Sequence, residues 1–267
     1  TAAMLLPLVI LLPILALRDK TTFAAFRGDH YYLALVALWY IDTPGVAWIA
    51  GNKAVWFSVW FWAATSKLNQ HFPSIIAVML TNSPFIPTAL HRRLFKNFPK
   101  DMRPSSVSAT LAHFGTFAEY AFPMVLLWSA GGPMTPYALI AMVLFHSFIA
   151  GNAPSGMPVE WNIMMVYGGF VLFGHFAQVP LMALTGTPWL LGFLLAMLVF
   201  VPLLGNFAPQ HVSFLQAMRY YAGNWAYSIW LFRDDSIDKL HLLTKGIPTM
   251  KEQLAQMIED EDEVAMS

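Results

Sequence analysis

The chain has 267 residues, of which 57% are hydrophobic and only 11% are charged, and its formal net charge is zero. An average soluble domain has roughly 25% charged residues, so this composition excludes an ordinary soluble protein and indicates a membrane protein. The balanced charge, without a basic face that alternates with aromatic residues, argues against a nucleic-acid partner. Because the sequence has no cysteine, disulfides, thiolate nucleophiles and iron–sulfur clusters are excluded as well.

Seven apolar segments approach the ~20 residues that a helix needs to cross a bilayer. We therefore predict an all-α fold, a polytopic bundle of about seven transmembrane helices, with spans at 2–17, 31–50, 54–72, 106–130, 136–152, 160–178 and 187–205. A shorter apolar stretch at 75–86 is interrupted by Asn82, Ser83 and Pro84. We expect this stretch to lie in the interface or to re-enter the membrane.

The charged residues are concentrated near the end of the chain. Of the 15 basic and 15 acidic residues, 13 lie between positions 233 and 263. This distribution predicts three parts: a transmembrane helical domain at 1–208, an amphipathic interfacial helix at 209–232, and a soluble tail at 233–267 that is helical and then acidic.

Basic residues mark the cytoplasmic side of a membrane protein. Arg18, Lys20 and Arg27 lie between the first two predicted spans, whereas Lys53 is almost alone on the opposite side. The connection between the third and fourth spans carries Arg92, Arg93, Lys96, Lys100 and Arg103. We therefore predict a multi-pass protein of the bacterial inner membrane, with the amino terminus outside and the tail in the cytoplasm.

Lys67 and Glu119 lie well inside predicted spans, and Asp42 lies less deeply in the second. A charged residue at the centre of a span costs at least ~2.5–3.5 kcal/mol and therefore suggests a function. Lys67 follows a run of aromatic residues in the third span, and Glu119 lies near the middle of the fourth. Apolar surroundings disfavour the ammonium form, so Lys67 is a candidate general base. In the alternative interpretation, Lys67 reaches the cytoplasmic interface or pairs with Glu119 to join two helices.

Four further residues are candidates for binding a substrate or lipid. His146 lies in the otherwise apolar fifth span, where it is either a satisfied core residue or a binding group. Trp62 and Asn69 flank Lys67, and Tyr120 follows Glu119. The histidines and carboxylates show none of the spacings of zinc or di-iron sites, so we predict no metal.

Three short segments resemble a known superfamily: His30 in 28–33 (GDHYYL), Lys67 in 66–69 (SKLN) and His146 in 145–148 (FHSF). Their order and approximate spacing resemble the membrane domain of vitamin K-dependent gamma-glutamyl carboxylase and the bacterial horizontally transferred transmembrane domain proteins. The resemblance implies that Lys67 deprotonates a reduced quinone and that His30 assists. The segments 158–162 (PVEWN) and 218–225 (MRYYAGNW) resemble an uncharacterised bacterial membrane-protein family that has no assigned activity.

The sequence leaves more than one function open. One hypothesis is a carboxylase-superfamily-like membrane enzyme that acts on a quinone or other lipid, with Lys67 as base and with His30 and Glu119 positioning protons. Peptide carboxylation is not expected, because the large soluble domain of the carboxylase has no counterpart here. The alternative is a non-catalytic subunit of a larger membrane complex that binds lipid, pigment or partner helices. A transporter is a weaker possibility, because paired broken helices of inverted repeats are not evident.

Overall fold

The structure is a computed structural model that describes residues 1–19, 23, 28–98, 100–152, 159–208 and 211. Within these residues almost all regular structure is helical, and one small two-stranded sheet accompanies the helices. The all-α prediction is therefore confirmed, with this hairpin as an addition. The predicted interfacial helix and tail lie outside the described residues, except for His211.

The helices follow one another along the chain with short connections. They are α1 (Leu6–Arg18, preceded by the 3-10 turn Ala2–Leu5), α2 (Gly28–Leu38, continued by the 3-10 turn Trp39–Asp42), α3 (Ala47–Ser66), α4 (Phe72–Thr81), α5 (Thr88–His91), α6 (Ser106–Ser129), α7 (Thr135–Ala150), α8 (Val159–Gly169, continued by the π-helix Phe170–His175) and α9 (Pro188–Phe207). Strands β1 (Phe95–Asn97) and β2 (Asp101–Pro104) form an antiparallel hairpin between α5 and α6.

The last four predicted spans each begin within one residue of a helix in the structure, namely α6, α7, α8 and α9. The second predicted span, 31–50, is wrong in extent because the first helical segment ends at Asp42 and α3 begins at Ala47. Pro44 and Gly45 separate the two, since proline lacks an N–H and Gly45 has a φ of 101° that other residues rarely adopt. Lys53, predicted in a connection, consequently lies inside α3.

The surface of the helices is more apolar than that of a soluble protein, and several polar side chains are buried within the apolar core. Large apolar side chains are exposed along the outer faces of α6 to α9, among them Met124, Trp128, Tyr137, Ile140, Leu144, Tyr167, Trp189, Phe200 and Phe207. Polar and charged side chains are buried inside, among them His30, Lys53, Lys67, Glu119, His146 and Asn162. Such an extensive apolar surface requires apolar surroundings.

Among the described residues, one helix is both long enough and apolar enough to cross a membrane, judged by its length and composition. It is α9, Pro188–Phe207, with a mean hydropathy of 2.3 over its best window. The shorter apolar helices include Ala2–Arg18 and Thr135–Ala150. Helices α3 and α6 have 20 and 24 residues, which correspond to roughly 30 and 36 Å at ~1.5 Å per residue.

Helix α3 lies at the centre of the bundle. Its residue Trp60 packs against Phe122 of α6 and Phe173 of the π-helix, with ring centroids 5.2 and 5.8 Å apart. Helix α8 approaches α3 closely because it has glycine at the contact. A Cβ added to Gly168 would lie 2.3 Å from the Trp56 ring, which no side chain could tolerate without rearrangement. This close packing fixes the positions of the polar groups on α3 relative to α8.

Candidate functional site

Lys67 and Glu119 form a buried ion pair between α3 and α6. Lys67 is the residue that ends α3, and its Nζ donates a hydrogen bond to Glu119 Oε2. The side chains are only 7% and 4% exposed, respectively. The rings of Phe72 and Phe145 lie 5.9 and 5.6 Å from Nζ, within the range of a cation–π contact.

The ion pair determines which atoms contact the Lys67 amine. In this arrangement Lys67 Nζ is engaged by the Glu119 carboxylate and lies beside the rings of Phe72 and Phe145. A molecule that withdrew Glu119 from the pair would be needed to release the amine. The alternative predicted from the sequence, a Lys67–Glu119 contact that joins two helices, is the geometry that the structure has.

A cavity opens next to this pair, between α2, α3, α6, α7 and α8. Its empty volume is about 410 Å³, which includes its opening toward the surface. Only about 20 Å³ of this space can be occupied by a water-sized molecule without movement of the lining side chains, which is room for about one water, so a larger ligand would have to push these side chains apart. The lining combines polar groups with three indole rings: His30, Val59, Trp60, Trp62, Ala63, Glu119, His146, Ile149, Trp161, Asn162 and Met165. Of the seven residues that the sequence marks as candidates, the cavity brings together His30, Trp62, Glu119 and His146.

His146 is held on both sides by hydrogen bonds whose direction is fixed. Trp60 Nε1 lies 2.9 Å from His146 Nε2, and an indole N–H can only donate. Nε2 must therefore accept, so the neutral ring carries its proton on Nδ1, which donates to Asn162 Oδ1 at 2.7 Å. The result is a one-way chain of hydrogen bonds, Trp60 to His146 to Asn162, that joins α3, α7 and α8. His146 is thereby a positioning residue in this structure.

His30 enters the cavity from the first turn of α2. Its Nδ1 lies 3.3 Å from Oδ2 of Asp29, and both side chains are buried. The ring packs edge-on against Trp161 of α8, with centroids 5.2 Å apart. The Asp29 carboxylate and the Trp161 ring together fix the position of the His30 imidazole at the edge of the cavity.

The remaining sequence-predicted residues lie elsewhere. Tyr120 contacts α3 outside the cavity, where its hydroxyl is 2.7 Å from Thr65 Oγ1. Asn69 is exposed in the α3–α4 connection, and its Oδ1 accepts hydrogen bonds from the backbone N–H groups of His71 and Phe72. Neither residue lines the cavity. Trp62 does line it, although its indole N–H donates to Leu198 O at 2.7 Å.

Comparison with known proteins identifies the family to which the chain belongs. The whole chain, residues 1–267, matches a family described as transmembrane proteins of unknown function (DUF3556). The chain belongs to this family. It is therefore an integral membrane protein, which agrees with the exposed apolar surface of α6 to α9. No curated protein and no solved structure matches the chain.

The structure of this DUF3556 protein also contains a second buried lysine, Lys53, which the sequence analysis placed in a connection between spans. Its Nζ donates to the carbonyl oxygens of Ala177 and Val179 at 2.9 and 2.7 Å, and the Phe173 ring lies 5.5 Å away. These carbonyls follow the π-helix, where backbone acceptors lack helical partners. Lys53 therefore stabilises the end of this helix.

The sequence analysis also missed Asn162, Trp60 and Trp161 as parts of the site. Asn162 had a usable signal, since it is a polar residue directly before the apolar run of α8. The two tryptophans had none, because aromatic residues are common throughout this chain. Among the described residues, no group of three or more His, Asp or Glu side chains comes together as a metal site.

Proposed function

We propose that this membrane protein binds the polar end of an amphiphilic molecule, a quinone or another lipid, in the cavity between α2, α3, α6, α7 and α8. The observation that carries the proposal is the convergence of His30, Glu119 and three indole rings on one buried cavity. Indole faces suit a planar ring, and the two ionisable groups suit a hydroxyl or carbonyl on it. An apolar tail would extend into the bilayer along the exposed apolar faces.

The proposed chemistry is the transfer of protons to and from the bound molecule. A hydroxyl in the cavity would donate its proton to His30, whose positive charge the Asp29 carboxylate stabilises. The Lys67 ammonium donates to Oε2 of Glu119, and the Glu119 carboxyl group lines the cavity, where it would accept a hydrogen bond from the hydroxyl of a bound molecule. If the hydroxyl donated to Glu119 strongly enough to displace Lys67, the released amine would be the base, as the carboxylase resemblance implies.

The wider setting of this proposal is a multi-pass protein of the bacterial inner membrane, with about seven spans, the amino terminus outside and the tail in the cytoplasm. Its support is the concentration of basic residues between α5 and α6 together with the apolar helices on either side. Membrane lipids are then the immediate partners, and no metal takes part.

A second candidate function, a non-catalytic subunit of a larger membrane complex, is favoured by α1. This helix has no buried residue, and Leu6, Leu8, Ile10, Leu11, Ile14 and Leu17 are all exposed. Another transmembrane chain could pack against such a helix, as could lipid. The backbone N–H of Ala2 donates to Asp42 at 2.5 Å, which ties the start of the helix to the turn after α2.

Native mass spectrometry of the protein, extracted gently from its own membrane, separates the two candidates. The binding proposal predicts one amphiphilic molecule per isolated chain, retained by the wild type and lost from Glu119→Leu/Lys67→Met, in which the charged groups are replaced together. Partner chains at fixed stoichiometry, without a bound molecule that the double variant loses, would instead favour the subunit.

A further inference from the structure

The hairpin between α5 and α6 is a folded platform with its own apolar core. Leu94, Phe95 and Met102 are at most 3% exposed. They pack in a cluster that is separate from the core around α3 and that contains Phe72, Ile76, Ala77, Met79, Leu80, Leu94, Phe95, Met102 and Ala112. The hairpin is thus fixed to α4 and to the start of α6, and its outward-facing side chains have a defined base.

Hydrogen bonds hold the platform to the first turn of α6. Ser105 accepts from the backbone N–H of Val107 and Ser108, which makes it the amino-terminal cap of the helix, and its hydroxyl donates to Arg93 O at 2.6 Å. The Ser108 hydroxyl donates to Leu94 O at 2.5 Å. These bonds fix the backbone from which the neighbouring cations project.

The outer side of the platform is strongly basic. Five cations are exposed on it: Arg92, Arg93, Lys96, Lys100 and Arg103. Asp101 is the single carboxylate between positions 88 and 105. The Arg103 guanidinium donates a hydrogen bond of 2.7 Å to the Asp101 carboxylate, and the backbone N–H of Arg103 donates another. These hydrogen bonds lower the pKa of Asp101 to about 2. Asp101 therefore stays ionised at neutral pH, and this stabilisation is lost only as the pH falls through about 2.

The platform also lies where headgroups would be found. The Phe85 side chain, 75% exposed, precedes α5. A Cβ added to Gly151, at the carboxyl end of α7, would lie 3.3 Å from its ring. The apolar helix α7 therefore ends beside the segment that leads into the platform, which places the platform at the level where this helix would leave the hydrocarbon layer. Cations at this level face lipid phosphates, and each can contribute to attraction by an anionic leaflet.

We propose that this basic platform, the exposed side of residues 92–103, is a docking surface for the headgroups of anionic phospholipids in the leaflet where α7 ends. The occupant is the lipid phosphate, and charge complementarity supplies the selectivity. This surface is distinct from the polar cavity, and its lipids need not enter the cavity.

The test is a competition between phosphatidylglycerol and phosphatidylcholine, supplied at equal concentration in mixed micelles to the full-length protein and scored by native mass spectrometry. At low ionic strength the wild type should retain phosphatidylglycerol over phosphatidylcholine by roughly tenfold. The triple variant R92Q/R93Q/K96Q should lose the preference, and so should the wild type at about 0.5 M salt. The matched control Arg18→Gln removes an exposed cation outside the platform and should keep it.

Two further variants sharpen the result. R92K/R93K preserves charge and should keep the preference, whereas Asp101→Asn removes the single carboxylate and should increase it. Equal retention of both lipids by the wild type, or an unchanged preference in the triple variant, would overturn the proposal. A preference for phosphatidylglycerol that appeared only after deletion of residues 259–263 would also overturn the proposal. It would show that the acidic run of the same chain, and not lipid, binds the basic platform in the intact protein.

Discussion

Replacing either member of the Lys67–Glu119 pair alone should destabilise the protein by about 3–5 kcal/mol. Lys67→Met leaves a buried carboxylate, and Glu119→Leu leaves a buried ammonium between Phe72 and Phe145. In both single variants the remaining charge has lost the partner that compensated for its removal from water. The free energy of unfolding, measured by denaturant titration in detergent, should show this loss.

The double variant Lys67→Met/Glu119→Leu is the control for the pair. It removes both charges and keeps similar side-chain volumes, so its stability should return to within about 1 kcal/mol of the wild type. A strictly additive loss in the double variant would mean that the two residues do not compensate each other. Single variants as stable as the wild type would show that the pair is solvated rather than buried.

His146→Leu should produce the second large effect, a loss of roughly 2–4 kcal/mol. The substitution keeps an apolar side chain of similar size but leaves the Trp60 N–H and the Asn162 Oδ1 without their described partner. Each such buried group costs about 1–3 kcal/mol. His113→Leu is the matched control, since His113 is exposed on the outer face of α6 and its replacement should change stability by less than about 0.5 kcal/mol.

The direction of the hydrogen-bond chain can be measured separately by NMR. In the wild type, the His146 ring proton should be found on Nδ1 by 15N NMR of selectively labelled protein, because Nε2 accepts from Trp60. An imidazole protonated on Nε2, or equal destabilisation by the His146 and His113 substitutions, would contradict the arrangement.

Some of this structure could be predicted from the sequence because local signals mark it. Helices α6 to α9 begin where apolar runs follow Ser105, Met134, Pro158 and Thr187, and each start was found to within one residue. The break at 43–46 was missed because the average hydropathy of 31–50 stays high across Pro44 and Gly45. Hydropathy averages the apolar character of the side chains, whereas the break between the helices depends on the backbone conformations that proline and glycine adopt.

The site itself depends on contacts between distant parts of the chain. Lys67 and Glu119 are 52 residues apart, and their pairing could be anticipated because a buried charge needs a partner. Trp60 and His146 are 86 residues apart, and no local pattern indicates that an indole would fix the tautomer of this histidine. Lys53 was predicted in a connection because the break between helices was placed at 51–53, and the carbonyls that bind it lie more than 120 residues further on, where no local pattern indicates them.

The most direct test of the cavity as a binding site is a fluorescence titration of the protein in nanodiscs with a short-chain quinone. Trp60, Trp62 and Trp161 line the cavity, so a bound quinone should quench their emission and the quenching should saturate at one quinone per chain. Ala63→Leu, which fills the cavity, should abolish the saturable part, whereas Ala141→Leu on the exposed face of α7 should retain it. Equal, non-saturating quenching in all three proteins would contradict binding in the cavity.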